Sequence, residues 1–168
     1  MARGEVKLTT FTDYSLRVLI YLAAEPARRA TIREIAQAFG ISKNHLMKVA
    51  YLLGKAGLLA NVRGKGGGLE LAKAPRAINV GWVVRQTEGL PMPAECFGDD
   101  GACALTPVCR LRRVFGEAVG TFYGVLDRYT LEDLVRNRRV VAETLRIDRR
   151  KGARAHGKAF AIKALKSR

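Results

Sequence analysis

Two short apolar segments, each with its own start and stop signal, stand three residues apart and run into a glycine-rich tip. That order constrains this chain more than any other feature. Thr31-Ile32-Arg33-Glu34 is a capping box: the threonine oxygen accepts the Glu34 backbone N–H, and the glutamate carboxylate reaches back. Ile32, Ile35, Ala36 and Phe39 then share one helix face, and Gly40 ends the helix by tolerating the left-handed conformation. Ser42 caps the next helix, in which Leu46, Val49, Ala50 and Leu53 recur at helical spacing until Gly57 stops it. Two such helices joined by Phe39-Gly40-Ile41 read as a helix-turn-helix. Leu58 to Arg63 and Leu69 to Ala72 flank Gly64-Lys65-Gly66-Gly67-Gly68, so two strands around a glycine tip form a β-hairpin. The expected fold is mainly α with a small β-hairpin, a winged helix-turn-helix.

Outside this unit, Leu16, Leu19, Ile20 and Ala23 predict a first helix from about Phe11 to Ala24. Ile78 to Thr87 predicts another, with Val80, Val83 and Val84 inward and Trp82 on the flank. Beyond Pro107, residues Val108, Leu111, Phe115, Ala118, Phe122, Val125 and Tyr129 step by three and four. That is a heptad seam, the spacing of a helix that packs on a partner helix. Gly116, Gly120 and Gly124 would let two backbones approach closely, at a cost in helix propensity. The expectation is a long dimerisation helix; the alternative is a helix packed on its own domain. Thr130-Leu131-Glu132-Asp133 predicts a last short helix. No internal repeat is visible. The chain divides into a winged helix-turn-helix over 1–90, a cysteine loop over 91–109, the dimerisation helix and short terminal helix over 110–145, and a basic tail over 146–168, expected to be disordered.

The 168 residues carry a net charge of +15 and are 48% hydrophobic, enough for a packed core and strongly biased towards a polyanionic partner. Double-stranded DNA fits that charge and the winged frame together. From Arg146 to Arg168 there are nine Lys or Arg residues against one acid, Asp148, which suits non-specific phosphate contacts. No apolar leader with a small-residue cleavage site opens the chain, and Val18 to Ala24 is too short to span a bilayer. A cytoplasmic protein without a membrane partner is expected. No Ser/His/Asp set, His-Glu-x-x-His helix or dinucleotide fingerprint points to an enzyme.

With Leu46, Val49, Ala50 and Leu53 turned to the core, Asn44, His45, Met47 and Lys48 point outward near the start of the second helix of the pair. There a recognition helix reaches base edges in the major groove. Asn pairs with adenine, Lys reaches guanine or phosphate, and His45 can donate to a base edge. Arg63 and Lys65 place positive charge at the hairpin tip, suited to the sugar–phosphate backbone or the minor groove. The tip lacks the Ser or Thr after Gly-Lys and the strand-to-helix context of a nucleotide-binding loop.

Cys96, Cys103 and Cys109 are the only cysteines, gathered in one polar loop. An odd number of thiols in a reducing compartment argues against a disulfide framework. Structural zinc favours close pairs of ligands and four in total, and neither His45 nor His156 lies in the loop. An iron–sulfur cluster therefore outranks zinc, since clusters accept more open spacings and a non-cysteine ligand. Arg110, Arg112 and Arg113 follow at once and can balance a negative cluster. Three thiolates and an oxygen leave the cluster type open between [4Fe-4S] and [2Fe-2S].

The chain resembles the nitric-oxide-sensing iron–sulfur repressors among the Rrf-type winged-helix regulators, from about Lys7 to Leu145. The resemblance rests on the run Leu8 to Tyr21, on Ser42-Lys43-Asn44-His45 and on Val62 to Gly68. It also rests on Cys103-Ala104-Leu105-Thr106-Pro107-Val108-Cys109-Arg110-Leu111 and on Tyr129 to Leu134. It implies a homodimeric transcriptional repressor whose three cysteines hold a [4Fe-4S] cluster. Asp13 of the other subunit is implied as fourth ligand, although by itself Asp13 reads as an ordinary helix-start acid. Arg17, one turn later, is placed to pair with Asp13 or with the cysteine loop. Nitric oxide is the implied effector, and its reaction with the cluster releases DNA. A regulator responding to iron or cluster status, with the same fold, is the nearest alternative, and a cluster-bearing redox protein is a more distant one. The basic tail lies outside the resemblance.

Overall fold

The computed structural model describes residues 7–89, 103, 105 and 108–147. Cys96 and the stretch from 148 to 168 lie outside the described residues, so the expected disorder of the tail is not addressed by it. Three helices come first: α1 (Thr10–Ala24), α2 (Ile32–Phe39) and α3 (Lys43–Lys55). The strands β1 (Leu59–Val62) and β2 (Gly68–Leu71) follow, then a 3-10 turn (Pro75–Ala77) and α4 (Val80–Glu88). α5 (Arg110–Leu126), α6 (Leu131–Leu134) and α7 (Arg138–Thr144) complete the described residues.

The local signals act as expected. Thr31 accepts the Glu34 N–H while the Glu34 carboxylate accepts the Thr31 N–H at 2.8 Å, closing the capping box. Gly40 takes φ 64° and hands the chain to Ser42, whose side chain accepts the His45 N–H. The strands pair antiparallel, Leu59 opposite Leu71 and Val62 opposite Gly68. Ala30 adds a bridge to Leu69 on the far side, with paired backbone bonds of 3.0 and 2.7 Å. This bridge ties the wing to the loop before α2.

One core unites the head. Leu19 of α1, Ile35 of α2 and Leu46 of α3 are fully buried. Leu58, Leu69, Ile78 and Val83 close the same cluster from the hairpin and α4. Each such side chain contributes about 1.5–3 kcal/mol relative to exposure.

The C-terminal part differs from the sequence reading in one respect. Among the described residues two helices, not one, follow α5. Thr130 and Asp133 cap α6 reciprocally, and hydrogen bonds from Thr130, with Arg136 beside it, hold the Asp133 carboxyl down at about 2. α7 then packs back on α1. Leu131, Val135, Ala142 and Ile147 join the head's core. Ile147, assigned to the tail by composition, is 6% exposed because the Ile147 N–H returns to the Ala142 carbonyl and turns the chain inward.

α5 stands apart. Tyr123 is the one buried residue among its seventeen, seated against Val80 and Val84 of α4. Its C-terminal end is clamped. Arg85 binds both Asp127 carboxylate oxygens at 2.6 Å, and its guanidinium lies 4.4 Å from the Tyr123 ring centroid. Asn79 caps α4 and donates to the Asp127 carbonyl at 2.7 Å. Gly81 leaves the space this crossing needs, since a Cβ there would press on Asp127 at both its side chain and its backbone.

Candidate functional site

Helix α3 and the wing both carry exposed cationic side chains. On α3, Leu46, Val49 and Leu53 are buried, which turns Asn44, His45, Met47 and Lys48 outward, all exposed as their phase predicts. The Ser42 cap fixes the N-terminal turn that carries them. The His45 ring lies 6.2 Å from that of Tyr14, so α1 lines the base of this turn. Arg63 and Lys65 are exposed at the wing tip. Glycine is required there: Gly64 and Gly66 hold φ 92° and 81°, and a Cβ on Gly67 would strike the Val62 carbonyl. The tip is thus nearly bare backbone with cationic side chains on it. Helix start and wing tip together offer donors and positive charge to a duplex.

The sulfur site is described only in part. Cys103 and Cys109 are free thiols, both half-buried. Cys109 is the N-cap of α5, yet its side chain makes no capping hydrogen bond, so the sulfur stays available. The helix N-terminus behind it favours negative charge. Soft sulfur donors of this kind fit an iron–sulfur cluster. Cys96 lies outside the described residues.

Asp13 sits in the first turn of α1 and is bound by Arg17, with Nε at 2.9 Å and the terminal nitrogen at 2.8 Å from the two oxygens. The pair is the expected one, Arg17 lying one turn on. Both side chains are over 40% exposed. They line an open pocket of about 590 Å³ with Lys7, Tyr14, Phe39 and Ile41, between α1 and the turn that leads into α3. Among the described residues, no three His, Cys, Asp or Glu side chains converge within one chain. Asp13 and the two described thiols therefore form no single site of that kind in the protomer.

Some residues of consequence have no local signature. Arg28 belongs to what reads as a loop, yet it is buried and donates to Glu34 at 2.6 Å. Burial pushes the neighbouring Tyr21 hydroxyl up, against the pull of Arg28. Arg29 reaches Glu70 of β2 at 2.7 Å, bracing the wing. Tyr51, two turns after Asn44 on α3, is 65% exposed. Its spacing from Asn44 and Lys48 is the only signal that would have found it.

A family model described as Rrf2, iron-dependent transcriptional regulator, matches residues 8–137. The HTH-type transcriptional regulator NsrR of Bacillus subtilis is 49% identical over 144 residues, covering 84% of this chain and 99% of that protein. NsrR of Bacillus licheniformis is 48% identical, covering 79% and 94%. Among solved structures, T. potens IscR aligns at a TM-score of 0.64 with 28% identity, covering 79% of this chain and 88% of its own. These relatives are transcriptional regulators rather than enzymes. Among the described residues no helix is long and apolar enough to cross a membrane.

Proposed function

The chain belongs to the Rrf2 family of DNA-binding transcriptional regulators, and from that premise we propose that it is a homodimeric repressor released from DNA by nitric oxide. Asn44, His45 and Lys48 read base edges in the major groove, while Arg63 and Lys65 hold the adjacent backbone. Two heads would occupy half-sites about 34–36 Å apart.

The observation that carries the reading is the place of Cys109. It caps the N-terminus of α5, and the outer seam of that helix is unoccupied within the described residues. Leu111, Phe122 and Val125 are 57%, 40% and 40% exposed. Apart from the helix's own backbone and the neighbouring residues, no described atom lies within 4 Å of where a side chain on Gly116, Gly120 or Gly124 would begin. A second α5 would cover that seam, whereas Gly116, Gly120 and Gly124 lie on the opposite side of the helix.

Cys96, Cys103 and Cys109 would hold a [4Fe-4S] cluster, with Asp13 of the partner subunit as fourth ligand. When bound, such a cluster supplies iron centres that react with nitric oxide. The protein's part is mechanical. Asp13 is shared between α1 of one protomer and the cysteine loop of the other, so its attachment sets how the heads sit relative to the α5 pair. Arg17 takes Asp13 back when that attachment is lost. A difference of a few kcal/mol between the two arrangements suffices for a large change in the DNA-competent population. Of other signals, iron or cluster status is favoured by the iron-dependent description of the family.

The test is a nitric oxide titration of the anaerobically purified chain on a duplex that it selects from random sequence. Release at a few equivalents per cluster is expected. Release only at large excess would point to iron or cluster status instead. Colourless protein without iron or acid-labile sulfide would remove the cluster altogether.

A further inference from the structure

We propose that the groove between α3 and the wing seats the sugar–phosphate strand dividing a major from a minor groove, with Tyr51 and Lys55 as its phosphate-binding pair. This rests on placing α3 in the major groove and the wing at the backbone, as above. The groove has a volume of about 760 Å³. Met47, Ala50, Tyr51 and Lys55 of α3 form one wall, and Asn61 and Gly64 of the hairpin belong to the other.

Length places these residues at the edge of the interface. Asn44 and Lys55 are eleven positions apart, about 16 Å along a helix axis, whereas the major groove is about 12 Å wide. With the first turn of α3 over bases, the last turn must meet the flanking strand. Asn44, Lys48, Tyr51 and Lys55 follow i, i+4, i+7, i+11, one stripe on the helix. The stripe passes from base-reading amide to a phenol and an ammonium group. The Lys55 nitrogen lies 5.8 Å from the centre of the Tyr51 ring, so the cation and the hydroxyl are held on one side of the groove.

Charge matches a polyanion. No acidic residue stands between Glu34 and Glu70 in sequence, and Lys43, Lys48, Lys55, Arg63 and Lys65 fall within that interval. Glu70 itself is engaged by Arg29. The surface is also unusually apolar for exposed helix: Met47 is 53% exposed beside Tyr51. Deoxyribose presents an apolar edge next to its phosphate, which suits this pairing of a thioether and an aromatic ring with a lysine. Gly64 and Gly67 keep the opposite wall low, since neither carries a side chain to fill the groove.

The full-length chain, prepared anaerobically, is tested on a duplex that the wild-type protein recovers from a random-sequence pool. Lys55→Met should weaken binding and lower the slope of log affinity against log salt by about 0.9 for each protomer bound. Tyr51→Phe should weaken binding roughly tenfold through loss of one charge-assisted hydrogen bond. Arg139→Gln removes an equal charge from α7, where Arg139 pairs with Glu143, and should leave the slope unchanged. Neutral methylphosphonates, introduced one phosphate at a time, should reveal a position that costs the wild type affinity and costs Lys55→Met nothing. Wild-type affinity and slope in both variants would overturn the proposal while leaving the DNA-binding reading intact. A change in sedimentation of Tyr51→Phe without DNA, with unaltered DNA affinity, would show the groove to be a protein contact and overturn it too. Failure of the wild type to recover any duplex would overturn this proposal and the reading beneath it together.

Discussion

Leu46 and Leu111 are both leucines on helices with regular apolar spacing, yet the first is fully buried and the second 57% exposed. Leu46 belongs to the head, where α1, α2, α3, α4 and the returning α7 enclose one cluster. Leu111 belongs to α5, which touches the head through Tyr123 and its immediate neighbours and turns its heptad seam away. The inward contacts of α5, Val119, Tyr123 and Leu126, are not members of that seam. Periodicity thus identifies a helix and an apolar face in both regions. It does not say whether the face is met by the same chain. The head is a closed core and α5 is an anchored arm whose seam is exposed among the described residues.

That contrast can be broken experimentally. Leu46→Ala should cost about 2–5 kcal/mol of unfolding free energy in urea titrations, because a cavity opens at a fully buried position of the head's core. A loss below 1 kcal/mol would mean the head's core is far less tightly packed than its burial implies. Gly81→Ala attacks the anchor instead. The new methyl meets backbone as well as side chain at Asp127, and a cost of about 1–3 kcal/mol is expected, with faster proteolysis within α5. Leu111→Asp with Val125→Asp addresses the free seam. The unfolding free energy of the monomeric chain should stay within ~0.5 kcal/mol of wild type, while sedimentation equilibrium shows loss of the dimer. A persistent dimer would place the assembly surface elsewhere.

Much of the head was legible because its signals are local. The Thr31–Glu34 box, Gly40, the Ser42 cap and the glycines of the wing each depend on residues within a turn of one another, so they act in any context that permits a helix or hairpin. Asn44, His45 and Lys48 followed from the phase of Leu46 and Val49. Helical spacing left Arg17 a choice between Asp13 and the cysteine loop, and the structure pairs it with Asp13. α7 was not legible. Its inward residues are few, and seven residues with three charges read as surface. Tyr51 was missed since an exposed tyrosine has no signature until the wing is seen across from it.

The cysteines divide the same way. Their sulfur chemistry and their grouping in one loop are properties of the sequence. The cluster site and the role of Asp13 proposed above depend instead on contacts between segments far apart or on different chains.

By itself the sequence determined the winged helix-turn-helix, the outward set on α3, the bare cationic wing and the apolar seam of α5, since each arises from spacing, capping or backbone freedom over a few residues. Only the tertiary structure decided that Arg28 is buried against Glu34, that Arg85 clamps Asp127 beside Gly81, and that Ile147 folds back into the core. These arise from segments brought together by burial of apolar surface, and the solvation of a charge is set by what packs over it rather than by its neighbours in sequence.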